Sequence, residues 1–85
     1  MTYSIDFRPS ALKALRKLPK SVRIRVAETL NSLASQPFPS GVKKLINEEN
    51  VFRVRVGDYR IVYQVISDKL LILVLRVGHR KDIYR

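Results

Sequence analysis

The residues best suited to chemistry are three arginines in the second half of the chain, Arg53, Arg55 and Arg60. They flank Gly57-Asp58, which favours a two-residue hairpin turn because glycine readily adopts the positive φ that such a turn requires. A hairpin closed there places Arg55 opposite Arg60, and the alternation of side chains along strands puts all three arginines on one face. Like charges directly opposite each other destabilise a sheet, so an anionic ligand would explain this pair better than stability does.

The same segment has the composition of an RNA-binding surface. RNA binding needs several rigidly held cations for the phosphates and flat side chains on which bases can stack. Both kinds of side chain recur between residues 53 and 84, as Arg53, Arg55, Arg60, Arg76 and Arg80 with Tyr59, Tyr63 and Tyr84 among them. The plain alternative is a solvated antiparallel sheet whose open face happens to be basic.

Two further side chains are candidates for proton transfer. His79 is the only histidine and follows Gly78 at the predicted end of the last strand. A neutral imidazole is a suitable general base near pH 7, although a lone histidine is more often a surface or packing residue. Tyr84 is next to last in the chain. A phenol with its usual pKa of about 10 becomes a useful base only where cations depress that pKa, and this segment supplies them.

Composition narrows the class of partner and of site. The chain has 85 residues with 17 Lys+Arg and 7 Asp+Glu, a net charge of +10. A charge of this size points to a polyanionic partner, either nucleic acid or an acidic protein. Without cysteine, disulfides and thiolate zinc sites are excluded, and no His, Asp and Glu spacing predicts a metal or another cofactor. Neither a signal peptide nor a membrane-spanning run is indicated, which favours the cytoplasm.

The remaining elements predict a single α+β domain over residues 1–85. Alternating apolar residues predict a strand at 2–7, Ser10 can cap a first helix that Pro19 ends, and an apolar stripe predicts a second helix over 20–35. The apolar run 70–77 predicts the central strand of a sheet. The predicted order is β-α-α-β-β-β, with a short edge strand as an option for the tail. A helix hairpin packs on one face of a small, twisted, mostly antiparallel sheet.

Two segments together form a specific pattern. The hairpin FRVRVGDYRIVY, residues 52–63, is followed by an apolar strand and then by RVGHRKDIY, residues 76–84. With the opening strand, the helix pair and Lys-Lys-Leu at 43–45 ahead of the sheet, the chain resembles the RelE/ParE superfamily of bacterial toxins, most closely its RelE branch. The resemblance covers essentially the whole chain.

The resemblance implies a toxin of a type II toxin–antitoxin system. Such a toxin enters the ribosomal A site beside 16S rRNA, cuts mRNA there without a metal, and is silenced by a RelB-like antitoxin, which we expect to be acidic. The 2′-hydroxyl of the RNA is the nucleophile, so the site must accept its proton and stabilise a dianionic phosphorane.

The resemblance also suggests roles for individual residues. Arg60 and Arg80 match arginines on the scissile phosphate, and Tyr84 matches a tyrosine near the C-terminus. Arg55 stands where relatives often carry lysine, and because arginine stays protonated, the role of proton acceptor shifts to His79 or Tyr84. The predicted catalytic set is therefore Arg55, Arg60, His79, Arg80 and Tyr84, and the predicted RNA-binding set is Lys43, Lys44, Arg53, Arg55, Arg76 and Lys81.

Two alternatives stay open. One is a ParE-like inhibitor of DNA gyrase without nuclease activity. The other is a degenerate toxin that is retained only as an antitoxin-binding module.

Overall fold

The computed structural model describes residues 2–39, 42–45 and 49–83, and the elements and core below belong to this part of the chain. They follow in the order β1 (Ser4–Phe7), α1 (Pro9–Arg16), α2 (Lys20–Ser35), β2 (Lys43–Lys44), β3 (Val51–Val56), β4 (Tyr59–Ile66), β5 (Leu71–His79) and α3 (Arg80–Ile83). A short helical turn, Ser67–Lys69, joins β4 to β5. The predicted α+β fold class is confirmed.

Prolines set the start of both long helices. Pro9 is the first residue of α1, where its fixed φ suits the helix and its missing N–H leaves no donor unpaired. Arg8 precedes it without a side-chain cap, so the predicted capping by Ser10 is wrong. Pro19 stands directly before α2, which runs over the predicted residues 20–35.

The five strands form one mixed sheet in the order β1-β5-β4-β3-β2. β1 runs parallel to β5, while the other three neighbouring pairs are antiparallel. A parallel neighbour needs a long connection, and the two helices lie in the chain between β1 and β5. The apolar run predicted as the central strand is β5, which has a strand on each side; the middle strand, however, is β4.

Two short elements differ from the sequence prediction. β2 has only two residues, and residues 80–83 form the helix α3, so the edge strand considered for the tail is wrong at these positions. Neither a two-residue strand nor a single helical turn is long enough to produce a recognisable hydrophobic period.

The hydrophobic core lies between the helices and one face of the sheet. Its buried members come from both long helices and from the helix-facing side of three strands: Ala11, Val26, Leu30, Leu33, Val56, Ile61, Tyr63, Val65, Ile72, Val74 and Val77. We call this side of the sheet the helix-covered face. No helix among the described residues is long and apolar enough to cross a membrane.

Candidate functional site

The hairpin between β3 and β4 has the predicted register. Arg55 lies opposite Arg60, and Val54 lies opposite Ile61. Gly57 has φ +60°, whereas Asp58 is not among the residues with positive φ, as in a type II′ turn with glycine at the first central position. The prediction that Arg53, Arg55 and Arg60 share one side of the sheet is confirmed, because paired residues face the same way.

Basic residues occupy two adjacent rows on the side of the sheet that faces away from the helices. The first row crosses four strands and contains Lys43, Arg53, Val62 and Arg76. The second row contains Arg55, Arg60 and Gly78. We call Arg53, Arg55, Arg60 and Arg76 the arginine face. Of the predicted RNA-binding residues, Lys44 is not on this face, since it lies opposite Phe52.

A register shift in β5 decides which residues join the arginine face. Val62 pairs with Arg76, but Tyr63 pairs with Val74, so one residue of β5 is left over between them. Strict alternation from the buried Ile72 and Val74 would turn Arg76 towards the helices and His79 away from them. The extra residue reverses both directions, as a bulge does. Arg76 therefore joins the other arginines, and His79 does not.

One backbone carbonyl holds the opposed arginines together. The oxygen of Gly57 accepts a hydrogen bond from Nε of Arg55 at 3.3 Å and another from Nη1 of Arg60 at 3.1 Å. Nη1 of Arg60 also donates to the carbonyl of Tyr59 at 3.0 Å. A carbonyl dipole between two guanidinium groups offsets part of their repulsion, which explains how the sheet tolerates the pair.

The start of α3 is attached to the same turn. The N–H of Arg80 donates to the carbonyl of Asp58 at 2.9 Å, so the backbone of Arg80 lies beside the turn that holds Arg55 and Arg60. Arg80 and Lys81 are both exposed. Tyr84, the other residue predicted near this cluster, lies outside the described residues.

His79 sits on the helix-covered side of the sheet. It pairs with Tyr59, and the two rings meet edge to face with their centroids 5.4 Å apart. Its Nδ1 accepts a hydrogen bond from the N–H of Lys81 at 3.2 Å. The lone pair of Nδ1 is therefore engaged by a backbone N–H, which makes this nitrogen less available as a proton acceptor.

The tyrosines of β4 do not serve the arginine face. Tyr63 is fully buried and its hydroxyl donates to the carbonyl of Pro37 at 2.6 Å, so its predicted use as a stacking platform is wrong. Burial raises the pKa of Tyr63 to about 12. Tyr59 lies on the same side of the sheet as His79. The third tyrosine of the predicted set, Tyr84, lies outside the described residues.

Arg25, an exposed residue of α2, reaches the same turn and is not among the predicted site residues. A Cβ added to Gly57 would lie only 3.1 Å from Nη1 of Arg25, so the guanidinium rests against the glycine. A helical arginine in a run of basic residues predicts only a solvated surface, and no local signal pairs it with Gly57. Within the described residues, no group of three or more His, Cys, Asp or Glu side chains could hold a metal.

Comparisons with known proteins agree on one family. Residues 5–84 match the family model described as the ParE toxin of type II toxin–antitoxin systems. The mRNA interferase toxin RelE of Escherichia coli is 34% identical over 95% of this chain and 86% of its own length. The isolated E. coli RelE toxin superposes with a TM-score of 0.83 at 32% identity, covering 96% of this chain and 90% of that one. The RelE–RelB complex of Pyrococcus horikoshii gives a TM-score of 0.83 at 33% identity, covering 94% of this chain and 97% of that one.

Proposed function

The chain belongs to the ParE toxin family of type II toxin–antitoxin systems, with RelE toxins among its relatives, and we propose that it is an endoribonuclease that cuts mRNA in the ribosomal A site. The observation that carries this proposal is the pair Arg55 and Arg60, held at one carbonyl on the side of the sheet that faces away from α1 and α2. Its relative in E. coli is named an mRNA interferase. Such an activity belongs in the cytoplasm, where ribosomes translate.

Cleavage proceeds by attack of the RNA 2′-hydroxyl on the adjacent phosphorus. The 2′-hydroxyl gives up its proton as its oxygen bonds to phosphorus, the bond from phosphorus to the 5′-oxygen breaks, and the leaving 5′-oxygen takes up a proton from water. The products are a 2′,3′-cyclic phosphate and a 5′-hydroxyl. Negative charge accumulates on the phosphorane, and fixed guanidinium groups stabilise that charge more than the charge of the ground state. We assign this role to Arg60 and Arg80, and the positioning of the RNA backbone to Arg53 and Arg55.

Further cations extend the binding surface around this centre. Arg76 and Lys43 belong to the first row of the sheet, and Lys81 follows Arg80 on α3. Each phosphate that such a cation contacts adds a salt-dependent increment to binding. Lys44 lies on the other side of the sheet, so its contribution would be to 16S rRNA or to general attraction rather than to the mRNA on the arginine face.

Proton transfer is assigned first to Tyr84. Arginine is a poor proton acceptor, so Arg55 is not assigned the proton of the 2′-hydroxyl. His79 accepts a hydrogen bond at Nδ1 and lies on the helix-covered side, which favours Tyr84 over His79 as the acceptor. A phenol serves as a proton acceptor only where neighbouring cations lower its pKa, so this assignment requires Tyr84 to approach the arginines when RNA is bound.

The test is primer extension on mRNA with and without ribosomes. Wild type should produce a cut within the A-site codon only when ribosomes are present. Arg80→Ala should lower the cleavage rate far more than ribosome binding, because the lost charge acts mainly in the transition state. Tyr84→Phe should lose more activity than His79→Gln, and Arg16→Ala, which removes an exposed arginine of α1, is the matched control. Equal losses of cleavage and binding in Arg80→Ala would contradict its assignment.

An antitoxin partner is proposed from the charge of the chain and from its structural neighbours. The chain carries +10, and the P. horikoshii neighbour is a RelE–RelB complex. We expect a RelB-like, acidic protein from the adjacent reading frame to co-purify with the chain and to restore growth when co-expressed. A chain that cells tolerate freely without a partner would support the degenerate alternative instead.

The family model gives a reason to keep gyrase inhibition as the second candidate, because it describes the ParE toxin. The two activities have different targets, DNA supercoiling and mRNA on ribosomes. Purified chain that halts supercoiling by gyrase but leaves mRNA on programmed ribosomes intact would establish the second candidate and exclude the first.

A further inference from the structure

The end of β3 borders both the arginine face and the hairpin turn. Among the described residues, β2 pairs with β3 only at Lys43 opposite Arg53 and Lys44 opposite Phe52. Within this described part of the chain, Val54 to Val56 have no neighbouring strand at this edge of β3.

A shallow depression lies around that edge, between α2 and the hairpin turn. It is lined by Arg25, Glu28, Thr29, Arg55, Val56 and Gly57. Arg55 lines this depression and also donates to the carbonyl of Gly57 beside Arg60. The depression and the arginine face are therefore continuous, with Arg55 belonging to both.

The charges around the depression favour an anionic ligand. The guanidinium of Arg25 rests against Gly57, and within the described residues Arg25 makes no hydrogen bond or ion pair through its side chain. The hydroxyl of Thr29 donates to the backbone carbonyl of Arg25 at 2.9 Å. Glu28 contributes the only carboxylate of the lining against the two arginines, which leaves an excess of positive charge.

We propose that single-stranded RNA continues from the arginine face past the end of β3, and that Arg25 and Arg55 bind a backbone phosphate in this depression. This phosphate is a neighbour of the scissile one, so the inference rests on the proposed nuclease function for its place in the reaction. Arg25 thereby becomes an RNA-positioning residue on α2, outside the sheet that carries the predicted catalytic set. RNA is favoured over an acidic protein segment because Arg55 belongs both to this depression and to the arginine face, so that one continuous strand can occupy both.

The first experiment measures binding without cleavage. Fluorescence anisotropy follows the binding of a 2′-O-methyl RNA oligonucleotide, which lacks the nucleophile, across a series of salt concentrations. Arg25→Ala should weaken binding several-fold near 0.1 M salt, on the order of 3- to 10-fold, and should reduce the salt slope by about 0.7, the value for one phosphate of a single strand. Glu28→Gln should strengthen binding, and Arg25→Lys should recover part of the loss.

The matched control is Arg23→Ala, which removes the same charge from an exposed position of the same helix that does not line the depression. It should change binding less than about twofold and leave the salt slope unchanged, since unpaired surface charges act mainly through a screened field. Equal effects of Arg23→Ala and Arg25→Ala would overturn the inference, as would wild-type chain that binds no RNA.

A parallel cleavage assay separates this inference from the proposed function. If wild type cuts mRNA on ribosomes but Arg25→Ala binds the oligonucleotide like wild type, the nuclease function stands and the phosphate site fails. If wild type binds the oligonucleotide through Arg25 but cuts no mRNA, the site stands and the nuclease function fails. Preferential loss of binding to an acidic peptide, with RNA binding intact, would assign the depression to a protein partner and overturn the inference.

Discussion

Arg60 and Ile61 are neighbours in β4 but belong to different parts of the molecule. Ile61 is fully buried on the helix-covered face, whereas Arg60 lies half-buried on the arginine face and donates to two backbone carbonyls. The period of two along the strand separates the helix-covered core from the arginine face, although Val62, in the first row of the arginine side, is also buried. Packing of the apolar residues fixes the register between the strands, and this register determines where the arginines lie.

The separation of the core and the arginines on opposite sides of the sheet explains why the sheet tolerates Arg55 opposite Arg60. Burial of the apolar side chains on one face supplies the stabilising energy, at about 25 cal/mol per Å² of apolar surface removed from water. Two opposed arginines on the exposed face cost only a fraction of a kcal/mol, in the range of about 0.2–1 for a cross-strand pair. The Gly57 carbonyl reduces that cost further. Substitutions in the core should therefore change the free energy of unfolding, whereas substitutions of the arginines should change RNA binding and cleavage.

The largest change in stability is expected for Ile61→Ala. Truncating a fully buried isoleucine leaves a cavity and should lower the free energy of unfolding by about 2–5 kcal/mol. Urea denaturation followed by circular dichroism measures this value. Ile24→Ala is the matched control, because Ile24 is 52% exposed on α2 and its loss should change stability by less than about 0.5 kcal/mol. Similar losses for both variants would contradict the assignment of the core to this face.

Gly57→Ala should lower the free energy of unfolding by about 1–2 kcal/mol, since alanine adopts a φ near +60° only with strain. The new Cβ would also lie 3.1 Å from Nη1 of Arg25, which must then move. Repeating the substitution in an Arg25→Ala background removes this second contribution and leaves the backbone strain. A double variant that loses as much stability as the sum of both single variants would show that the close approach costs nothing.

The effect of Tyr63→Phe should be smaller, about 1 kcal/mol at neutral pH, because one hydrogen bond to the carbonyl of Pro37 is lost. Burial raises the pKa of Tyr63 to about 12, above the value of about 10 for an unfolded chain. The stability that this shift contributes is fully present below pH 10 and is lost as pH rises towards 12, because the unfolded chain loses its proton first. The difference between wild type and Tyr63→Phe should shrink over that range in urea titrations at several pH values.

The control for this variant is Tyr3→Phe, which removes a hydroxyl from a half-buried tyrosine at the margin of the core. Its stability should stay within about 0.5 kcal/mol of wild type. A difference between wild type and Tyr63→Phe that does not change above pH 10 would contradict the assigned burial of the phenol.

Local signals were sufficient to predict the hairpin and the long helices. Gly57-Asp58 fixes the register of β3 against β4, and Pro19 with the apolar stripe fixes α2. These features depend on residues that are close in sequence. Turn chemistry and helical period therefore predict them without knowledge of the rest of the chain.

Contacts between distant segments were not predictable in the same way. The parallel pairing of β1 with β5 and the approach of Arg25 to Gly57 join residues far apart in the chain, and no local pattern encodes them. The side of the sheet on which Arg76 and His79 lie depends on one unpaired residue in β5. A bulge of this kind has no periodic signature, so alternation alone predicts the wrong side for both.

The most direct test of the account is the single-turnover rate of mRNA cleavage on programmed ribosomes, compared between wild type and Arg60→Ala at saturating protein. Loss of one preorganised charge on the phosphorane should slow cleavage by about 100- to 1000-fold. The free energy of unfolding should stay within about 0.5 kcal/mol of wild type, because Arg60 stands outside the core. Cleavage by Arg60→Ala at the wild-type rate, or a loss of cleavage matched by a loss of folded protein, would contradict the division of the sheet into a stabilising face and a catalytic one.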